Sequence, residues 1–287
     1  MSKLSVGLKA LINSPAARPH TVPAPKNITA IYQDIQQSAK ANNVSQPSWL
    51  ALSTAATMTM NSPESLAALF TLATTSAPTS TTTPTDLEIA ELMREVGLKC
   101  ISFNGIPRTI NSLNAFKTAL PDTIADNLSK TPTRTPTPEN ISSIKDRGHA
   151  LWDSIYRPFE KKLYNRLADS HPDLPVIILN SHYGALLSDP AGRERSANAA
   201  AGRVLTSIVA IACLRAQSGV APQVLSHVFG LRKALEDGSW ASDVESESGA
   251  RWLASDEGNE WILNSVDKIV KAIGQGQGSN FAPMAKL

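Results

Sequence analysis

The chain has 287 residues, a formal net charge of +2, 42% hydrophobic residues and only 5% aromatic residues. This length suits one large domain or two of ordinary size, and an Ala-rich, aromatic-poor composition favours helices over strands. The small charge and the lack of a basic stripe with interleaved aromatics argue against a nucleic-acid partner, and the most apolar stretch, Ile208 to Leu214, is far too short to span a membrane.

The first 26 residues form a separate N-terminal segment with no acidic residue. Leu4, Leu8 and Leu11 alternate with lysines in a pattern typical of a short amphipathic helix, as in mitochondrial presequences. Such presequences are rich in arginine, whereas the first arginine here is Arg18. Mitochondrial targeting is therefore an alternative to the address at the other end of the chain.

Helical periodicity continues through nearly the whole chain, with no convincing alternating strand, so the sequence predicts an all-α fold. Asn27 can cap one helix, Ser62-Pro63-Glu64 starts another, and Asn104-Gly105 makes a hinge. A loop that begins at Pro78 interrupts the first series of helices. The predicted helices cover 27–43, 46–60, 62–76, 86–102, 106–119, 140–169, 173–187, 199–217, 221–235 and 256–272.

The chain also repeats itself weakly. The stretch from Ser62 to Leu72 matches that from Ala221 to Leu231 in Pro, Leu, Phe and Leu, and each follows a buried, Ala-rich helix. A linker rich in Thr and Pro separates the two. We therefore predict an N-terminal segment, two related helical repeats, the linker between them and a flexible tail, with bounds 1–26, 27–120, 121–139, 140–273 and 274–287.

Two short stretches resemble the carboxymuconolactone decarboxylase family, which shares its fold with the AhpD alkylhydroperoxidases. The stretch from Gly105 to Leu113 is similar to the family's Gly-x-Pro-x-x-x-Asn-Ala-Leu helix start, and the stretch from Pro222 to Gly230 is similar to its His-bearing helix. The overall style of the chain also resembles fungal AhpD-like proteins, some of which are peroxisomal. The resemblance implies an AhpD-like helical fold, present here as two repeats.

The departures from this family bear on the chemistry. AhpD peroxidases use Cys-x-x-Cys followed by His four residues on, and counting back from His227 places those cysteines at Val220 and Gln223. The family's relay Glu lies on the preceding helix, where Val204 to Ile208 contains no acid. Neither Val nor Gln can act as a thiolate nucleophile. Reduction of hydroperoxides is therefore the least favoured function, and no redox cofactor is expected.

The resemblance makes His227 the candidate catalytic residue, because imidazole exchanges protons near neutral pH. The alternative is a buried histidine bonded to a neighbouring helix. Gln223 lies one turn earlier on the same helix face and can orient a substrate carbonyl, or else cap the helix beside Pro222.

A second group of candidates would bind the substrate. The helix start at Gly105, with the donor fork of Arg108, suits a carboxylate, although a solvated Arg108 in a tight turn fits the sequence too. Asn111 lies one turn further and can join either arrangement. Tyr183 is a candidate pocket wall or a packed aromatic at a helix end.

Cysteines and possible metal ligands give weaker signals. Cys100 and Cys213 lie in apolar surroundings, where a thiol is usually inert, and a disulfide framework is not expected. His171 and His182 are too scattered to join His227 as metal ligands, so we expect no metal.

The last three residues, Ala285, Lys286 and Leu287, are similar to the Ser-Lys-Leu peroxisomal address. A receptor would bury the leucine and hold the carboxylate, and the preceding Gly/Gln-rich stretch would supply a flexible leash. We therefore expect residence in the peroxisomal matrix, reached through the import receptor. The Ala-rich helices also suggest a homo-oligomer, a dimer or larger.

Two functional hypotheses remain open from the sequence. In the first, His227 transfers a proton on a small carboxylate held by Arg108, as in the decarboxylase or isomerase branch of the family. In the second, the chain is a catalytically silent binding or scaffold protein that retains the fold. Whether His227 and Gln223 open into a cavity would discriminate the two.

Overall fold

The structure is a computed structural model that describes residues 3–75, 84–190, 197–243 and 245–281. Within these ranges the regular structure is helical and no β-strand forms, so the all-α prediction is confirmed. None of the helices in these ranges is both long enough and apolar enough to cross a membrane. The loop around Pro78 and the tripeptide Ala285, Lys286 and Leu287 lie outside the described residues.

The helices follow the predicted chain order, but Asn27 makes no side-chain capping bond to the helix that begins at Ile28. The first part contains α1 (Val6–Ile12), α2 (Ile28–Ala41), α3 (Gln46–Thr59), α4 (Pro63–Thr75), α5 (Asp86–Lys99), α6 (Ile101–Asn104), α7 (Ile106–Ala119) and α8 (Asp122–Ala125). The second part contains α9 (Ile141–Tyr156), α10 (Glu160–Ser170), α11 (Asp173–Ile177), a π-helix (Ile178–Leu187), α12 (Arg203–Gln217), α13 (Ala221–Glu236), α14 (Glu247–Ala254) and α15 (Asp256–Ile273).

Local chemistry explains where several helices begin. Thr85 and Glu88 form a reciprocal capping box at the start of α5. Proline occupies the first turn of α7 and α13, where its missing N–H costs nothing. Gly105 precedes α7 with a φ of 78°, a conformation that glycine adopts without strain, so the predicted hinge lies where the sequence put it.

Helices α3 and α12 pack against each other at the centre of the molecule. Nearly every residue of both is buried, including the serines and threonines of α3. Small side chains let the two backbones approach closely, and Thr57 satisfies its hydroxyl by bonding Tyr32 Oη at 2.6 Å. The main hydrophobic core therefore joins residues 28–128 to residues 201–273, while a second, smaller cluster lies between α9 and the π-helix.

A buried lysine ties the two parts of the chain together. The Lys99 side chain is fully buried at the end of α5, and its Nζ donates to Asp189 Oδ1 at 3.1 Å and to Thr206 Oγ1 at 2.9 Å. It also donates to the carbonyl of Ala201, just before α12. A buried ammonium is tolerated only with such partners, so these bonds fix the register between α5 and α12.

Several predicted helices differ from the structure, since 86–102 is divided at Cys100 and 199–217 begins only at Arg203, and two others change more. The predicted helix 140–169 is interrupted after Tyr156, because Pro158 has no N–H and forces Arg157 into an extended conformation with ψ of 141°. The predicted helix 173–187 widens into a π-helix from Ile178 onward. The short helices α8, which lies in the predicted linker, and α14 were not predicted, since their four and eight residues carry too little periodicity.

The predicted Thr/Pro-rich linker and the predicted flexible tail both make polar contacts with the helices, over the residues that the structure describes. In the Thr/Pro-rich linker, Arg134 Nη2 contacts Glu95 Oε1 at 2.5 Å, and the Ser129 N–H donates to Glu91 Oε1 at 2.6 Å. In the tail, Asn280 Nδ2 donates to the carbonyl of Met60 at 3.2 Å. Both segments therefore lie along the helical body up to residue 281.

Candidate functional site

The predicted catalytic histidine lies inside an aromatic cluster. His227 projects from the buried face of α13 and is only 5% exposed. Its Nε2 lies 3.4 Å from the hydroxyl of Tyr156 at the end of α9, and the Phe103 ring meets the imidazole edge-on with centroids 6.2 Å apart. The ring is thus enclosed by side chains from two other helices, α9 and α6.

Tyrosines continue the cluster away from His227. The Tyr156 and Tyr183 hydroxyls are 2.9 Å apart, and Trp152 packs on both rings with centroid distances of 4.2 and 5.1 Å. Edge-on and tilted arrangements of this kind stabilise aromatic groups beyond their buried area. We call His227, Phe103, Trp152, Tyr156 and Tyr183 the aromatic cluster.

Two glycines allow this cluster to form. Gly148 on α9 and Gly184 in the π-helix meet so closely that a Cβ at Gly148 would lie 2.6 Å from the Gly184 Cα atom. Glycine is the residue that permits such an approach of two backbones. The close crossing brings Tyr156 and Tyr183, one from each helix, within hydrogen-bond distance.

Burial sets the charge state of the cluster. Burial first, and the Arg203 guanidinium second, lower the pKa of His227 to about 4, so the imidazole is neutral at pH 7. Burial likewise raises the pKa of Tyr156 and of Tyr183, whose hydroxyls keep their protons. The His227 Nδ1 atom has no hydrogen-bond partner within the described ranges.

Arg203 is a buried cation that sequence reasoning missed. Its guanidinium donates to Ser154 Oγ at 2.8 Å, to Ser207 Oγ at 2.6 Å and to the Gly230 carbonyl at 2.7 Å. These neutral acceptors satisfy the donors, while burial lowers the pKa of the group. The side chain joins α9, α12 and α13 around the aromatic cluster, a role that only the packing reveals.

The structure brings together only two of the predicted site residues, His227 and Tyr183, through Tyr156. Gln223 is exposed at the start of α13 and Asn111 is exposed on α7. Arg108 donates to the Thr59 carbonyl at 2.5 Å and to Asn280 Oδ1 at 2.6 Å, and it stacks 3.8 Å above the Phe281 ring. Its donors are therefore directed to α3 and the tail.

The two cysteines lie beside each other despite their distance in sequence. Cys100 Sγ and Cys213 Sγ are 3.5 Å apart, and both side chains are fully buried. The contact with Cys213 and then burial raise the pKa of the Cys100 thiol, which opposes formation of a thiolate. In the described parts of the chain, no group of His, Cys, Asp and Glu side chains could hold a metal ion.

A pocket of about 430 Å³ opens next to the aromatic cluster, between α9, α10 and α13. Tyr156 forms part of its wall, whereas His227 is not among its lining residues. We call it the α13 pocket; its lining is Ile155, Tyr156, Phe159, Lys162, Leu163, Arg166, Ser226, Phe229 and Lys233.

The chain is 30% identical over 190 residues to Peroxisomal protein 2 of Saccharomyces cerevisiae, a match that covers 58% of this chain and 62% of the yeast protein. The matched part thus spans less than two thirds of that relative's length. No protein-family model matches the chain, and no solved structure matches it.

Proposed function

We propose that this chain is a peroxisomal matrix protein with an AhpD-like helical fold that binds a small molecule and does not transform it. The similarity to a yeast peroxisomal protein supports the compartment, as does the sequence Ala285-Lys286-Leu287. The all-α fold supports the resemblance to the AhpD-like family. The import receptor is the proposed partner for the C-terminal tripeptide.

We favour binding over catalysis because the His227 imidazole is enclosed by other side chains. A general acid or base has to reach the proton that it moves, within about 3 Å or through one water. Here Tyr156 and Phe103 contact the imidazole, and Arg108 is engaged by Thr59 and Asn280. The carboxylate-holding group and the proton-transfer group of the enzymatic hypothesis do not face one space.

One observation favours proton transfer as the second candidate. The Nδ1 atom of the neutral His227 lacks a partner within the described ranges, and buried polar atoms are normally paired. A ligand that displaced Tyr156 would meet this ring. The peroxidase alternative is weaker, since the buried Cys100 and Cys213 lack an electropositive, accessible setting.

A turnover screen with small carboxylates and carbonyl compounds tests the choice. We expect neither the wild-type protein nor His227→Ala to convert any of these compounds, because the His227 imidazole is enclosed. Conversion that His227→Ala abolishes, in a variant that remains folded by circular dichroism, would overturn the binding proposal. Reduction of a hydroperoxide at an enzymatic rate would do the same.

Import is tested separately with a fluorescent protein fused to the N-terminus. We expect the full chain in peroxisomes and a chain lacking Ala285, Lys286 and Leu287 in the cytosol. Transport of the full chain to mitochondria would support the alternative address in segment 1–26 and refute the peroxisomal proposal.

We also propose assembly into a homodimer or larger. Exposed apolar side chains such as Ile106 and Ile110 on α7 support it, because a partner would cover them. Light scattering at micromolar concentration tests the assembly, and a monomer at all concentrations would refute it.

A further inference from the structure

Two apolar side chains of α13, one of which lines the α13 pocket, are exposed although the matching side chains of α4 are buried. Leu225 and Phe229 are 57% and 51% exposed, whereas the matching Leu66 and Phe70 are 2% and 6% exposed. Phe70 packs edge-on against Phe116 of α7, with centroids 5.9 Å apart. Phe229 has no such ring partner within the described ranges, and Phe159 beside it is 63% exposed.

Cations border this apolar surface. Lys162 and Arg166 lie one turn apart on α10 and form no ion pair within the described ranges. The Lys233 Nζ donates to the Ile155 carbonyl at 3.1 Å, which fixes a third positive charge at the pocket. The lining contains no carboxylate. The pocket thus combines an apolar wall with a cationic rim, while Glu160 and Glu236, which do not line the pocket, interact electrostatically with Lys233.

We propose that the α13 pocket binds an aliphatic carboxylate, with the chain against Phe229, Phe159 and Leu163 and the headgroup at Lys162 and Arg166. This inference rests on the proposed role as a binding protein and names its ligand class. The volume of about 430 Å³ lies in the range of small-molecule sites. The guanidinium of Arg166 suits a carboxylate, because its parallel donors match two oxygens.

A second copy of the chain fits this surface less well. A symmetric dimer places the same patch of both subunits together, so Lys162, Arg166 and Lys233 would face their own copies. Like charges brought together in an interface cost free energy. An anion, in contrast, neutralises the rim while its apolar chain covers the exposed rings.

Calorimetric titration of the full chain with sodium decanoate below its micellar concentration tests the inference. Decanol, acetate and decyltrimethylammonium serve as matched probes that lack the charge, the chain or the correct sign. We expect binding of decanoate, at least about fivefold weaker binding of decanol, and no binding of acetate or of the cation. Added salt should weaken decanoate binding.

Variants locate the site. Phe229→Glu removes an apolar wall and adds a negative charge, and should weaken decanoate binding at least about tenfold. Lys162→Gln with Arg166→Gln should weaken it about three- to tenfold, as expected for two exposed charge contacts. The control is Ile141→Glu, the same kind of change at a side chain that is 54% exposed at the far end of α9; it should leave affinity unchanged.

Several outcomes would overturn the inference. These are equal affinity for decanol and decanoate, unchanged affinity in Phe229→Glu, or binding to anionic lipid vesicles without binding of decanoate. A dimer that Phe229→Glu dissociates, in a protein that ignores decanoate, would assign the surface to a second copy. If decanoate fails while the turnover screen stays negative, only the ligand class falls and the proposed function stands.

Discussion

Helices α4 and α13 share a sequence pattern but present it to different surroundings. Both have proline in the first turn, both carry Leu and Phe at matching positions, and each follows a central buried helix. In α4 the Leu66 and Phe70 side chains are buried, whereas in α13 the matching Leu225 and Phe229 are exposed. The pattern therefore determines the helix, and the neighbouring helices determine which of its faces is covered.

The covering elements account for the difference. Helices α2 and α7 pack on α4, and Phe116 of α7 reaches Phe70. Helix α13 packs instead on α12 and α9 through the face that carries His227, where α4 has the partly exposed Ala68. The imidazole thus occupies the buried side of α13 and leaves the apolar side to the α13 pocket.

The largest expected effect is on the free energy of unfolding, which should fall much more in Phe70→Ala than in Phe229→Ala. Truncating a buried phenylalanine costs about 3–5 kcal/mol of unfolding free energy, because a cavity remains. Truncating the half-exposed Phe229 should cost less than about 1 kcal/mol. Urea unfolding followed by circular dichroism measures both, and similar losses for the two variants would show that α13 is covered like α4.

Sequence reasoning was most accurate where the cause is local. The prolines at residues 63, 107 and 222 mark helix starts by chemistry confined to one turn. The break at Pro158 was readable from the same rules but was missed. The all-α class followed from composition and from helical periodicity.

Long-range packing limited the prediction of the site. Tyr156 and Arg203 lie far from His227 in sequence, and no short motif indicates that their side chains surround it. Cys100 and Cys213 were placed in the core but not next to each other. A one-dimensional pattern gives the face of a helix and not the identity of its neighbours.

The second prediction concerns pH, because His227 titrates and the matching Ala68 does not. The folded-state pKa of about 4 lies below the ordinary 6.5, so the unfolded chain binds more protons between these values. The free energy of unfolding that this group contributes is complete above pH 6.5 and is lost as pH falls toward 4. The full loss is about 3 kcal/mol.

The free energy of unfolding of the wild type and of His227→Gln is measured at several pH values from 4 to 7. The difference between the two proteins at each pH gives the contribution of His227. The difference is needed because burial raises the pKa of Asp243 to about 6. Protonation of Asp243 therefore stabilises the fold as pH falls, and it does so equally in both proteins. Ala68→Gln is the control and should shift stability by the same amount at every pH. A wild-type-minus-variant curve that is flat would contradict a buried neutral imidazole.

The third prediction addresses the glycine crossing that supports the aromatic cluster. Gly148→Ala places a methyl group 2.6 Å from the Gly184 Cα and 2.8 Å from the Leu179 carbonyl oxygen, and neither atom can move alone. We expect a loss of about 1–3 kcal/mol, as for other overpacked sites. Thermal unfolding measures it, with Gly7→Ala as control, since a Cβ there meets nothing within 4 Å. Equal behaviour of the two variants would exclude the close crossing.

The smallest expected effect is an exchange at the matching positions Glu64 and Gln223, both in the first turn of their helices. Glu64 Oε2 accepts from the Ala24 N–H at 3.0 Å and lies at the positive end of the α4 dipole. Glu64→Gln should therefore destabilise the protein by about 0.3–1 kcal/mol, and Gln223→Glu should stabilise it by a similar amount. Both changes should shrink in high salt, because screening weakens charge–dipole interactions at the surface. Chemical unfolding at low and high salt measures them. A loss of stability in Gln223→Glu would contradict this prediction. It would indicate that the Gln223 amide makes an interaction beyond its place at the helix start, and Gln223 would again be a candidate site residue.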